Sequence, residues 1–298
     1  MERGTRGDDL PGLERAEMTL VRMGISTCPN DTFAFHGLLS GRVDPCGLDL
    51  RLELADVEEL NQRTLAGELD ASKVSFHAAL HLAQDYVVLP CGSAIGFGVG
   101  PLLLAARPGE HPSDTRFADR AARVLCPGAH TTASLLYELF HPGQGRVEQV
   151  LFSEIMPALA AGRADFGVCI HEGRFTFAEQ GLDCVQDLGE RWEAETGAPL
   201  PLGGLVARRS LGTEVLKSLT RAIRNSLDHA IANRAEAFST MRQHAQELDD
   251  DVIGAHVDLY VNAWTRDLGQ EGQSALDALS VRAPATDLPR IPLEIFDA

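Results

Sequence analysis

Residues 159–175 read LAAGRADFGVCIHEGRF. Small helix-forming residues stop at Gly162, an Asp follows at 165, and Phe166 to Ile170 is a short apolar run rich in strand formers. The run ends at His171, beside the Gly173 turn. A histidine at the end of a buried strand sits where open α/β sheets place ligand chemistry. It can equally be a core histidine whose ring nitrogens are satisfied by backbone. The same pattern occurs earlier: residues 65–75 read LAGELDASKVS, again a helix end, a glycine stop, an Asp and a strand, here delivering Lys73 and Ser75. A second echo pairs PLLLAAR (101–107) with LGGLVAR (202–208). These two segments read as strands that cross between halves. The expectation is an α/β protein of two similar lobes whose strand ends face each other across a cleft.

Working outward, Leu20–Ile25 reads as a first strand and Leu48–Leu54 alternates with period two as a second. Pro29, Asn30, Asp31 and Thr32 form a helix-start cluster, and Asp56 caps a helix that stops at Gly67. Further strands are expected at Tyr86–Pro90, Arg123–Pro127 and Val147–Phe152, with Ser153 capping the helix after the last. Beyond Ser210 the chain reads as helical, with Leu219, Ile223, Leu227 and Ile231 as one apolar stripe. A short final strand is expected in the Pro-rich tail. The expected division is residues 1–17 as a disordered extension, 18–101 with 207–298 as the first lobe, and 102–206 as the second. Met18 is a second candidate start.

The 298 residues are enough to bury a sizeable core. A net charge of −17, from 26 basic and 43 acidic side chains, argues against nucleic acid or an anionic membrane as partner. No window approaches the length of a membrane-spanning helix, and the charged N-terminus does not read as a signal peptide. The six cysteines form no C-x-x-C pair. They read as reduced thiols of a cytoplasmic protein, with no disulfide frame and no metal site.

His171 titrates near neutrality and is the first acid–base candidate. Lys73 is an anion anchor, a Schiff-base amine or a solvated lysine. Thr131 and Thr132 either cap a helix or offer its N-terminus to a carboxylate or phosphate. His77, His81 and Asp85 share a helical face that could hold a metal but reads better as solvated. HEGRF lacks the second histidine of H-E-x-x-H, and CGSAIGFGVGP has Pro101 where a dinucleotide fingerprint needs glycine.

STCPNDTF at Ser26–Phe33, SKVSF at Ser72–Phe76, HTTA at His130–Ala133, IHEGRFTF at Ile170–Phe177, LPLGGLVARR from Leu200 and HVDLYVNAW at His256–Trp264 together carry a family resemblance. From Met18 to about Leu279, the chain resembles the 1,4-dihydroxy-6-naphthoate synthases of the futalosine route to menaquinone. The resemblance implies a two-lobe fold like type II periplasmic binding proteins. It also implies a cofactor-free lyase acting on an anionic small molecule, cyclic dehypoxanthinyl futalosine. Carried onto this sequence, it makes His171 the general base and Lys73, Val74, Ser75, Thr131 and Thr132 the substrate contacts. A solute-binding protein without catalysis and a chorismate dehydratase of the sister type are the alternatives. Neither reading fixes the oligomeric state.

Overall fold

The computed structural model describes residues 18–109, 121–244, 249–283 and 291–298. The expected extension at 1–17 lies outside the described residues. In chain order the first strands are β1 (Thr19–Ser26), β2 (Leu48–Ala55), β3 (Ala71–Ser75), β4 (Tyr86–Val88) and β5 (Ala94–Gly96). They are followed by β6 (Leu102–Ala105), β7 (Arg123–Cys126), β8 (Arg146–Gln149), β9 (Phe166–Cys169), β10 (Asp183–Asp187) and β11 (Leu200–Arg208).

These strands form two sheets. One has the order β2-β1-β3-β11-β4, with β5 also on β11, and the other has the order β10-β6-β9-β7-β8. The internal echo in the sequence is visible in the ladders. In the first sheet β1 runs parallel to β2 and β3, and β11 lies antiparallel on β3. In the second, β7 runs parallel to β8 and β9, and β6 lies antiparallel on β9. The matching sites are built by the same contact. Asp70 Oδ2 accepts the Arg22 backbone N–H at 2.9 Å, and Asp165 Oδ2 accepts that of Arg123 at 2.9 Å. Each Asp thus fixes where its strand begins, β3 after Asp70 and β9 after Asp165. The two-lobe α/β architecture expected from the sequence is the one observed.

Four details differ from expectation. The chain re-enters the first sheet at Leu200 rather than at Ala207, because Leu200 pairs with Gly96 and Gly203 with Ser75. Residues 200–206 therefore belong with the first sheet. The strand expected over Val147–Phe152 ends at Gln149, and the next helix starts at Phe152 with Leu151, not Ser153, in the capping position. Strand β10 and the helix Leu188–Thr196, capped by the Asp187 side chain, had no clear sequence signal. Finally, Leu219, Ile223 and Leu227 are buried, whereas Ile231 is 56% exposed. Steps of four residues advance about 400° around a helix of roughly 100° per residue, so a strict i+4 stripe drifts about 40° per step and leaves the core.

Apolar side chains of the helices Pro29–Ala34, Thr213–Ala232, Arg234–His244 and Asp250–Tyr260 cover one face of the first sheet. Val74, Phe76, Val124, Phe166 and Trp192 belong to a larger cluster that runs from one sheet to the other. The tail returns to the first sheet through an isolated parallel bridge between Val88 and Ile295, where the sequence suggested a short last strand. No helix among the described residues is long and apolar enough to cross a membrane.

Candidate active site

The carboxyl ends of β1, β3 and β9 and the start of the helix Thr132–Phe140 meet around a cavity. Lys73, Val74, Ser75, Thr131, Thr132 and His171 all line it. The structure thus brings together all six residues expected to act as base or substrate contacts, from segments up to about a hundred residues apart.

On the first-lobe side, β1 ends at Ser26 and the helix Pro29–Ala34 begins after Cys28, which makes no side-chain cap. Asn30 and Asp31 do not cap this helix as their position suggests. Asp31 is buried instead against Lys73, with Nζ 2.5 Å from Oδ1. Lys73 gives a second N–H to the Gly92 carbonyl at 2.9 Å. Ser26 Oγ donates to the other Asp31 oxygen at 2.6 Å, and Asn30 Nδ2 donates to Oδ1 at 2.9 Å. A buried ion pair persists only when such extra hydrogen bonds satisfy both charges. Lys73 is therefore neither a solvated lysine nor a desolvated Schiff-base amine. It is a neutralised cation with one of its three donors left for the cavity.

The network continues to a residue that carried no role in the sequence. His256 Nε2 lies 3.0 Å from Asn30 Oδ1. Because the Asn30 amide donates to Asp31, its oxygen must accept, which places the His256 proton on Nε2. Burial, reinforced by His171 and Lys73, pulls His256 well below the usual histidine range and keeps it neutral. Its Nδ1 is then a lone pair, and that atom is buried with no hydrogen-bond partner among the described residues. Tyr260 stands one turn on, its ring 4.5 Å from that of His256 and its hydroxyl donating to the Val99 carbonyl at 3.3 Å. Both residues line the cavity. The only sequence signal for them was the HVDLY segment within the family resemblance.

On the second-lobe side, His171 follows β9 in a left-handed backbone conformation, φ 57°. Such a φ is uncommon outside glycine, and where it persists the surroundings hold it. The Phe152 ring packs against the His171 ring in a T-shaped contact, with centroids 4.7 Å apart. From the opposite lobe, Cys28 Sγ approaches to 3.3 Å from Nδ1 and 3.5 Å from Nε2. Burial lowers the affinity of His171 for a proton, against the opposing pull of Glu172, Asp56 and Asp31. The ring is thus held as a neutral imidazole. Burial, then Asp31 and Glu172, push the Cys28 thiol well up, so it stays an S–H and is no nucleophile.

The helix Thr132–Phe140 begins at the cavity. Thr131 caps it, accepting from Ser134 N at 3.2 Å. Thr132 Oγ1 donates to the Leu202 carbonyl at 2.7 Å and accepts from His77 N at 3.3 Å, tying this helix to the first lobe. Nearby, Glu58 accepts from His130 N at 3.3 Å and lies 3.2 Å from His130 Nδ1. Gly128, at φ 104°, lets this loop pass Glu58, where any Cβ would collide with the Glu58 side chain. The hydroxyls of both threonines are therefore committed to protein groups. What remains for an anionic ligand is the first turn of the helix itself, with its unpaired N–H groups and positive dipole end.

His77 and His81 share the helix Phe76–Leu82, but that helix ends before Asp85, which sits in a turn. The face suggested by their spacing does not form. His77 instead points its Nδ1 at the Thr131 carbonyl, 3.2 Å away, and burial brings it down to about 4.

The sequence profile of a family described as menaquinone biosynthesis matches residues 21–285. A protein of Thermus thermophilus named 1,4-dihydroxy-6-naphtoate synthase is 45% identical over 272 residues, 91% of this chain and 96% of its own length. A Streptomyces coelicolor protein of the same name is 41% identical over 276 residues, covering 90% and 94%. The periplasmic aliphatic sulphonate-binding protein SsuA of Escherichia coli has the same fold, with a TM-score of 0.59 at 12% identity over 95% of each chain. With two lobes closed on one cavity and this likeness along almost its whole length, the chain belongs to the menaquinone-biosynthesis family.

Proposed function

We propose that this chain is a cytoplasmic 1,4-dihydroxy-6-naphthoate synthase, a carbon–carbon lyase that takes cyclic dehypoxanthinyl futalosine as substrate and uses His171 as general base. The observation that carries this reading is a neutral imidazole at a strand end, inside a cavity where the two lobes already touch. A general base works best when it is unprotonated at working pH and within reach of the proton it takes. The depressed basicity of His171 meets the first condition. Closure of Cys28 onto its ring excludes bulk water from the second.

Substrate recognition divides between the lobes in this reading. The helix N-terminus at Thr131 and Thr132 receives the substrate carboxylate. Lys73 contributes its remaining N–H, while Val74 and Ser75 present the end of β3. Ser75 Oγ accepts from Asn61 Nδ2 at 3.3 Å, which leaves its own proton to donate into the cavity. The apolar wall formed by Ile170, Val57 and Leu202 suits a flat ring system.

The test is incubation of the purified protein with cyclic dehypoxanthinyl futalosine, with product followed by mass spectrometry. Appearance of 1,4-dihydroxy-6-naphthoate, lost in His171→Gln, is the expected result. Product formation by that variant at near the original rate would remove His171 from the role of base. Failure of the folded protein to turn over this substrate, with turnover of chorismate or tight binding of an unmodified solute instead, would overturn the assignment of the reaction.

A further inference from the structure

A second cluster of unusual polar groups lies outside the cavity. His36 follows the first helix, His229 stands near the end of the helix Thr213–Ala232, and Glu236 lies in the first turn of the helix Arg234–His244. One ligand atom from each of the three lies within 4.8 Å of the others. His36 is buried, and Nε2 of both histidines is buried with no hydrogen-bond partner among the described residues. Buried polar atoms are nearly always paired, so an orphaned ring nitrogen on each of two histidines clustered with one carboxylate requires an explanation. The other nitrogen of each ring has a polar neighbour. His36 Nδ1 is 2.8 Å from Thr240 Oγ1, and His229 Nδ1 is 3.3 Å from Asn233 Nδ2. The rings are stacked, with centroids 5.6 Å apart and planes inclined by 23°.

The geometry points to a binding site for a divalent transition metal, of the zinc type, formed by His36 Nε2, His229 Nε2 and a Glu236 carboxylate oxygen. Two imidazoles and one carboxylate select zinc and its neighbours over calcium or magnesium, which prefer oxygen alone. Tetrahedral zinc with bonds of about 2.0–2.1 Å needs ligand atoms roughly 3.3 Å apart. Side-chain rotation of the exposed Glu236, together with a small shift of the rings, closes the gap from the present spacing. The fourth position opens to solvent beside Glu236 and takes water. None of the three residues lines the active-site cavity, so the metal is a clip between three helical segments and takes no part in turnover. One of those segments continues directly from the helix that carries Asn30 and Asp31, so the clip stiffens the support of the buried network. A metal bound only by the folded state raises stability by mass action.

The experiment is a zinc titration of the full chain, stripped with chelator and then freed of it, against a chromophoric competitor, with thermal melting followed in parallel. One zinc per chain bound at micromolar concentration or tighter, with a rise in melting temperature, is expected. Glu236→Gln should weaken binding roughly tenfold or more, and His229→Gln should abolish both the binding and the rise. His171→Gln should retain both, since it removes the competing imidazole in the active site. No binding by the wild-type chain would overturn the proposal. So would an affinity for zinc unchanged from the parent in both Glu236→Gln and His229→Gln. Glu236 is exposed, so its variant remains informative if a histidine variant fails to fold.

Discussion

The ends of β3 and β9 occupy the same place in two lobes built the same way, yet they do opposite things. Both strands start after an Asp that locks onto the neighbouring parallel strand, Asp70 on Arg22 of β1 and Asp165 on Arg123 of β7. Both run alongside an antiparallel strand from elsewhere in the chain. At the end of β3, however, Lys73 is held by Asp31 and Gly92, and the network extends through Asn30 to His256. At the end of β9, His171 is held by an aromatic edge and a thiol, with no carboxylate hydrogen-bonded to its ring among the described residues. One lobe supplies a rigid, charge-balanced floor. The other supplies an imidazole whose proton affinity is set chiefly by burial, the base of the proposed reaction. A duplicated scaffold can divide positioning and chemistry in this way because the backbone ladder is indifferent to the side chain at its last residue.

The largest effect that sharpens this contrast is on turnover. His171→Gln should lower kcat about 10²–10⁴-fold, the range for loss of a general base, while the melting temperature stays near that of the parent. Steady-state kinetics and a melt on the same sample check both halves. Equal losses of activity and stability would mean that His171 is part of the floor.

Next in size is the floor itself. Lys73→Met strands Asp31 without its cation and should cost about 3–5 kcal/mol in urea unfolding. The double variant Lys73→Met, Asp31→Leu should recover much of that loss, because no buried charge is then left alone. If the single variant is nearly neutral, the first lobe is not a charge-balanced floor.

Acid should separate the lobes at their shared edge. His77 is lowered to about 4 from a usual value near 6.5, chiefly by burial and then by His81. It therefore binds a proton more readily unfolded than folded, and its contribution to stability is complete above about pH 6.5 and lost as pH falls toward 4. The loss is at most roughly 3 kcal/mol, at about 1.36 kcal/mol per pH unit. The groups facing His77 are His81, His130 and the Thr131 carbonyl. His77→Gln should flatten the acid limb of a stability-against-pH curve, and an unchanged slope would assign that limb to His256 and His171. Activity has its own acid limit, set by His171. With its basicity depressed, kcat should hold to below pH 6.5 before falling.

The smallest effects test the likeness rather than the difference. Asp70→Ala and Asp165→Ala each free a backbone N–H at the same place in their sheets, and each should cost about 1–3 kcal/mol. Chemical denaturation of the two variants side by side compares them directly. A gap much larger than the exposed Arg22–Asp70 ion pair can explain would show that the two lobes are not held by equivalent joints.

Much of this was legible in the sequence. Gly67 and Gly162, each followed by an Asp and an apolar run, marked the two equivalent joints, and PLLLAAR with LGGLVAR marked the strands that complete each sheet. Local rules reached these because glycine stops, period-two strands and apolar runs depend on near neighbours in the chain. The same rules failed where a partner came from far away. Asn30 and Asp31 looked like caps, yet Asp31 is taken by Lys73, 42 residues on, and Asn30 by His256, 226 residues on. The re-entry of the chain at Leu200 depended on its ladder with β5. Strand β10 has neither an apolar run nor strict alternation, and its pairing with β6 alone makes it a strand.

By itself the sequence determined the two-lobe plan, the joints at Asp70 and Asp165, and the residue types at the strand ends. Tertiary structure alone decided what those residues are. Burial makes His171 a neutral imidazole, Cys28 an inert thiol and His256 a fixed tautomer with a bare nitrogen. Proton affinity depends on the groups and the solvent within a few ångströms of an atom, and only the closed fold brings residues 28, 31, 73, 171 and 256 to that distance.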